Sequence, residues 1–191
     1  MRLILASQSP RRAEILRNAG FTFDVCAAGV DERAREGETP EAMVRRLAES
    51  KARAAAAQLT GEAVVIGADT TVVLDGRIYG KPATAEEAAA MFRHYAGRTH
   101  EVLTGLAVLR VPQAALRVEC ETTRVTFASM SEREIADYVA TGEPFDKAGA
   151  YAIQGVGGRW VTRVEGCYFN VMGLPLARLY RILREMGSGT R

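Results

Sequence analysis

Val64-Val65-Ile66-Gly67-Ala68-Asp69-Thr70 is an apolar run of buried-strand character that passes through two small residues to a carboxylate and a hydroxyl. An acid at the end of a buried strand is costly to keep charged unless a cation, a hydrogen-bond donor or a solvent-filled cleft meets it. Asp69 is therefore a site candidate. The plainer reading, an Asp that turns the chain after a strand, carries equal weight on these residues alone. What separates the two is the supply of cations along the rest of the chain.

Upstream, Thr39-Pro40 caps a helix of high propensity that runs through Ala57. Its apolar stripe holds Val44, Leu47, Ala48 and Ala55, and Lys51 falls on the same stripe. Its ammonium either snorkels to solvent or reaches along the core edge toward a phosphate. Downstream, Val72-Val73-Leu74 turns at Asp75-Gly76 and returns as Arg77-Ile78-Tyr79, a hairpin by its turn dipeptide. Lys81 follows in Gly80-Lys81-Pro82, where a glycine and a proline set a bend. An exposed loop lysine is the ordinary reading there.

At the start of the chain, Leu3-Ile4-Leu5 reads as a first strand. Ser9-Pro10 then caps a helix that stops at Gly20, with Ile15, Leu16 and Ala19 inward. Arg11 and Arg12 lie in its first turn, where the helix dipole disfavours each cation by roughly 0.3–1 kcal/mol. A bound anion offsets that cost. Free backbone N–H groups, the hydroxyls of Ser7 and Ser9 and two guanidiniums make a phosphate cradle. Solvated arginines, or pairing with Glu14, is the plainer alternative. Phe21 to Val25 alternates as a second strand. The loop Asp31-Glu32-Arg33-Ala34-Arg35-Glu36 reads as solvated, and Glu32 is its candidate for a second carboxylate beside Asp69.

Thr84 to Glu87 forms a capping box for a helix with Ala88, Met91, Phe92 and Tyr95 inward. Strands follow over Glu101 to Leu109 and Leu116 to Phe127. Ser131 to Glu134 is a second capping box, and a final helix carries Leu176, Leu179, Tyr180 and Leu183 as its stripe. His94 and His100 match no metal-ligand spacing. Gly155-Val156-Gly157-Gly158 lacks the spacing of a dinucleotide fingerprint.

With 191 residues, 48% of them hydrophobic, the chain fits one sizeable domain, and its formal charge of +2 excludes bulk electrostatic coating of nucleic acid or membrane. Cys26, Cys120 and Cys167 suggest neither a disulfide framework nor a thiolate zinc site. No stretch approaches the roughly 20 apolar residues of a membrane span, so the expected location is the cytoplasm. The tail over residues 187–191 reads as disordered. Four cations (Arg11, Arg12, Lys51, Lys81) with one or two acids suit a triphosphate and a divalent metal better than a neutral metabolite.

Leu5-Ala6-Ser7-Gln8-Ser9-Pro10-Arg11-Arg12, Gly67-Ala68-Asp69-Thr70, Gly80-Lys81-Pro82, Asp146-Lys147-Ala148-Gly149-Ala150-Tyr151, Ile153-Gln154-Gly155 and Gly173-Leu174-Pro175-Leu176 together resemble the Maf family of nucleoside triphosphate pyrophosphatases. The resemblance implies a single domain over residues 1–186. Its fold would be two-lobed α/β, an elongated mixed β-sheet flanked by helices similar to inosine triphosphate pyrophosphatases, with the active-site cleft between lobes. It also implies cleavage of a nucleoside triphosphate between the α and β phosphates with Mg or Mn.

By position, Asp69 becomes the catalytic residue and, with Glu32, the metal site, while Ser7, Arg11, Arg12, Lys51 and Lys81 bind substrate. Arg11, Thr70 and Gln154 resemble the dTTP/UTP branch at the three positions that separate it from the 7-methyl-GTP branch. Physically, Gln154 offers a donor and an acceptor to the edge of uracil or thymine. A regulatory or nucleic-acid-binding protein of septum formation is the alternative of a different class, and the low net charge argues against a stable nucleic-acid partner. A 7-methyl-GTP pyrophosphatase is the alternative within the family, and a homodimer is compatible with the sequence.

Overall fold

The strand predicted around Asp69 is a single twelve-residue element, Ala63–Leu74 (β3), buried over almost its whole length. The computed structural model describes residues 2–27 and 29–187; the expected disordered tail falls, from residue 188 on, outside them. Around β3 the described strands form a seven-stranded mixed sheet. The others are Arg2–Leu5 (β1), Asp24–Val25 (β2), Arg77–Tyr79 (β4), Thr99–Val111 (β5), Ala115–Phe127 (β6) and Val161–Glu165 (β7). Their order is β2-β1-β3-β5-β6-β7, with β4 also on β3. The expected helix-flanked mixed α/β sheet is what the chain forms.

The chain divides into two compact units. The first comprises residues 1–69, 104–121 and 173–191, the second 70–103 and 122–172. In the first unit β1 runs parallel to β2 and to β3, with Leu5 opposite Ile66. The helix Pro10–Asn18 (α1) is capped by Ser9, whose hydroxyl accepts from the Arg12 amide. It ends with Gly20 at φ 80°, the Gly20 and Phe21 amides donating to the Arg17 and Leu16 carbonyls. That cap occupies the Phe21 amide, so the strand expected from Phe21 shortens to the two residues of β2. Ala13 is buried in place of the expected Ala19, which has become the exposed helix end.

The helix Pro40–Ala56 (α2) packs on the sheet through backbone contact. A Cβ added at Gly67 of β3 would stand 2.1 Å from the Ala48 carbonyl oxygen, and one at Gly105 of β5 2.0 Å from that of Val44. The core beneath is built from small residues, Ala48, Ala52, Ala55, Ala63 and Ala107, with Ile4, Val65 and Leu109. The last helix, Leu176–Glu185 (α6), buries Leu179, Ile182 and Leu183, while Tyr180, expected inward, is exposed. Tyr180 sits three residues before Leu183 but on the edge of the stripe, and Ile182 takes its place.

In the second unit β3 and β4 form the expected hairpin, Val72 opposite Tyr79. Asp75 and Gly76 take positive φ (53° and 76°), as a tight two-residue turn requires. The helix Ala85–Tyr95 (α3) is capped by Thr84, but Glu87 accepts from the Ala83 amide instead of closing a reciprocal box. The box at Ser131 and Glu134 is complete and starts the helix Glu132–Ala140 (α4). Beyond it lie three short 3-10 turns, Glu143–Asp146, Ala148–Ala150 and Val156–Trp160. Cys167 precedes the one-turn helix Tyr168–Val171 (α5).

This unit's core is aromatic. Phe92, Tyr95, Phe127, Tyr138 and Tyr151 pack largely edge to face. His100 lies among them, 1% exposed, its Nε2 2.8 Å from the Tyr151 hydroxyl. Burial lowers its pKa to about 4. From about pH 6.5 down to 4 the unfolded chain takes up a proton that the folded chain refuses, so stability falls across that window. The loss levels off at about 3 kcal/mol. Denaturant unfolding from pH 7 to 4 measures it, and His100→Phe is expected to flatten the slope in that window. An unchanged slope would remove His100 as its cause.

Candidate active site

Gly67 and Asp69 are two apart on β3, so their side chains share one face of the strand. That face meets α2 at Ala48 and Ala52, where Gly67 lets the backbones touch. Lys51, three residues past Ala48, is thereby carried to the acid: its Nζ donates to Asp69 Oδ1 at 2.6 Å. The same Nζ lies 2.7 Å from Glu32 Oε1. The Lys51 and Asp69 side chains are 13% and 12% exposed, that of Glu32 61%. Lys51 therefore does not snorkel; it joins a buried carboxylate to a solvent-facing one. One ammonium between two carboxylates leaves the trio with one negative charge.

Arg12 belongs to the same neighbourhood. Its Nε donates to the Gly173 carbonyl at 2.7 Å and its Nη1 to Ser7 Oγ at 3.1 Å. Burial lowers the Arg12 pKa, Asp69 and Glu32 work against that, and Arg11 adds to it. Four charged groups thus sense one another within the first unit. The expected cradle differs in detail. Ser9 Oγ serves the Arg12 amide, and Ser7 Oγ accepts from both the Ser9 amide and Arg12. Each hydroxyl still has its own proton to donate. Arg11 is half-buried in the same turn.

The loop that carries Glu32 is anchored by residues the sequence reading passed over. Arg46 donates to both oxygens of Glu38, at 2.6 and 2.7 Å, and to the Arg33 carbonyl at 3.1 Å. The Arg46 bonds hold the Glu38 carboxyl down to about 2. Beside them is a cavity of about 290 Å³ lined by Asp31, Arg33, Ala34, Arg35 and Arg46, and not by Asp69. Arg46 lies two residues from Ala48 in α2 and so off its apolar stripe, and no spacing in the sequence marked it.

Thr70, Lys81 and Gln154 lie in the second unit. Thr70 is half-buried directly after Asp69 on β3, while Lys81 and Gln154 are exposed. The Lys81 segment is tied to the Asp146 to Tyr151 motif by the Gly149 amide, which donates to the Gly80 carbonyl at 3.0 Å. Gly149 has φ 73°, and a Cβ there would stand 2.5 Å from Val72 Cγ2. Glycine is thus required at the junction on both conformational and steric grounds.

A metal fits this chemistry in kind. Glu32 and Asp69 offer hard oxygen donors that converge on one ammonium. Among the described residues no three acidic, His or Cys side chains cluster to enclose an ion. One or two carboxylates completed by substrate phosphates is how Mg²⁺ is commonly held.

The family model described as Maf-like protein matches residues 2–186. A dTTP/UTP pyrophosphatase of Koribacter versatilis is 54% identical over 98% of this chain and 95% of that protein. One of Pelotomaculum thermopropionicum is 52% identical over 97% of this chain and 96% of that protein. A solved nucleoside-triphosphatase / dITP/XTP pyrophosphatase from Mycobacterium abscessus is similar over 98% of both chains, at 13% identity and a TM-score of 0.44.

Proposed function

Because the chain belongs to the Maf-like protein family, we propose that it hydrolyses dTTP and UTP between the α and β phosphates, releasing the monophosphate and pyrophosphate. The observation that carries this reading is the trio in which Lys51 holds Asp69 and Glu32 together inside the field of Arg12. The substrate follows from relatives about half identical to the chain that carry the name dTTP/UTP pyrophosphatase. One family model covers both units, which supports reading residues 1–186 as one catalytic domain.

Asp69 orients a water and takes its proton as the water attacks the α-phosphorus. Lys51 fixes the carboxylate's rotamer, and Glu32 completes the acidic pair. Ser7, Arg11, Arg12 and Lys81 bind the polyphosphate and stabilise charge that grows on the departing pyrophosphate. Glu32 and Asp69 would hold Mg²⁺ or Mn²⁺, which when bound neutralises the phosphates. Arg11, Thr70 and Gln154 select the base. No described helix is long and apolar enough to cross a membrane, and the three cysteines are free.

The test is pyrophosphate release from dTTP, UTP, GTP and 7-methyl-GTP with Mg²⁺ or Mn²⁺, and with chelator. The expected outcome is release from dTTP and UTP at least tenfold above the purine nucleotides, abolished by chelator. Release from 7-methyl-GTP alone would reassign the substrate, and none at all would end the enzymatic reading.

A further inference from the structure

The segment that presents Gln154 is held from below by one carboxylate. Glu143 Oε2 accepts from the Val156 amide at 2.9 Å, and Oε1 accepts from the Gly157 amide at 3.0 Å and from the Tyr138 hydroxyl at 2.5 Å. The fit leaves no slack. A Cβ at Gly155 would stand 2.3 Å from Glu143 Oε2, and one at Gly157 2.5 Å from the Tyr138 oxygen. Tyr138 is itself 1% exposed, locked between Phe92 and Trp160. Lys147 Nζ pins the other end by donating to the Glu143 carbonyl at 2.8 Å. A half-buried carboxylate thus bears on the backbone immediately after an exposed amide side chain.

We propose that Glu143, backed by Tyr138, is a positioning residue for nucleobase selection: it sets the height and orientation of the 155–157 backbone and through it the place of the Gln154 amide. The inference rests on the reading of Gln154 as a base-selecting residue. Two successive amides and a hydroxyl converge on the carboxylate, an arrangement that needs an acceptor-only group with several lone pairs. Burial alone raises the Glu143 pKa, but the Tyr138 hydroxyl and the two amides outweigh it and leave it below the ordinary value. The anion is therefore the resident form at neutral pH. The glycines at 155 and 157 have a matching explanation, since a side chain at either would lift the segment off its support.

The experiment compares Glu143→Gln, Tyr138→Phe, Gln154→Ala and the Glu143→Gln/Gln154→Ala double variant in full-length protein. It measures kcat and KM for UTP and GTP with Mg²⁺. A glutamine fills the same space but must turn an N–H toward one donor. Glu143→Gln is expected to raise KM for UTP about tenfold, keep kcat within about threefold, and reduce the UTP-over-GTP preference about tenfold. Tyr138→Phe leaves the carboxylate in place and shifts the preference in the same direction, by about threefold. In the double variant the losses of preference should not add, because both singles remove one function.

A Glu143→Gln protein that melts lower but keeps its base preference would overturn the proposal and leave Glu143 a purely structural residue. So would additive losses. If Gln154→Ala itself leaves preference unchanged, the base-selecting reading of Gln154 fails first, an outcome the single variant separates from failure of the support. Should Glu143→Gln not fold, Tyr138→Phe decides: unchanged preference there overturns the proposal.

Discussion

Asp69→Asn lowers kcat for dTTP about 10²–10⁴-fold while the nucleotide still binds within a few fold of the parent. The asparagine occupies the same volume and can still accept from Lys51 Nζ, which now reaches Asp69 Oδ1 at 2.6 Å. It cannot take a proton from water, and loss of a positioned general base has about that effect on rate. Binding survives because the side chains proposed to grip the phosphates, Arg12 and Ser7 among them, are held by other contacts, to the Gly173 carbonyl and the Ser9 amide. Single-turnover pyrophosphate release and equilibrium dTTP binding, measured on one preparation, separate the two quantities. Turnover within tenfold of the parent would take the base role away from Asp69.

Gly67→Ala carries the largest expected effect on stability. The added methyl would begin 2.1 Å from the Ala48 carbonyl oxygen and 2.9 Å from the Ala52 amide nitrogen, backbone atoms that no rotamer change can clear. Alanine recovers roughly 0.5–1 kcal/mol of backbone entropy in a strand. Moving a packed helix off the sheet costs more, and the net loss is about 3 kcal/mol. For a chain of this length that is a fall in Tm of about 6–12 °C. Gly29→Ala, with no atom within 4 Å of the new Cβ, is the control and should melt within about 2 °C of the parent. Since α2 carries Lys51, the surviving folded Gly67→Ala protein should also lose activity. A variant that melts like the control would mean that α2 does not rest on this glycine.

The contrast between those two substitutions shows how far the linear pattern reaches. Local chemistry marked the elements well. Ser9-Pro10, Thr39-Pro40 and Ser131 cap helices where their hydroxyls indicate, and Asp75-Gly76 turns the hairpin, because caps and turns are satisfied by neighbours a few residues away. Where a competing interaction claimed the same group the reading slipped. The Phe21 amide went to a helix cap and shortened β2, the Glu87 carboxylate went to Ala83, and Ile182 displaced Tyr180 from the core.

Residue identities alone determined that this chain has buried strands, capped helices and a family's worth of motifs in order, since each of those depends on composition or on contacts close in sequence. They also singled out Asp69 and Lys51 as candidates. Only the tertiary structure decided that Lys51 points at Asp69 rather than at solvent, that Glu32 joins them, and that Glu143 supports the Gln154 segment. Those facts turn on which faces of a strand and a helix meet. That is settled by a missing Cβ at Gly67 and by carboxylates bonded across more than ten residues of chain, distances at which sequence spacing carries no geometry.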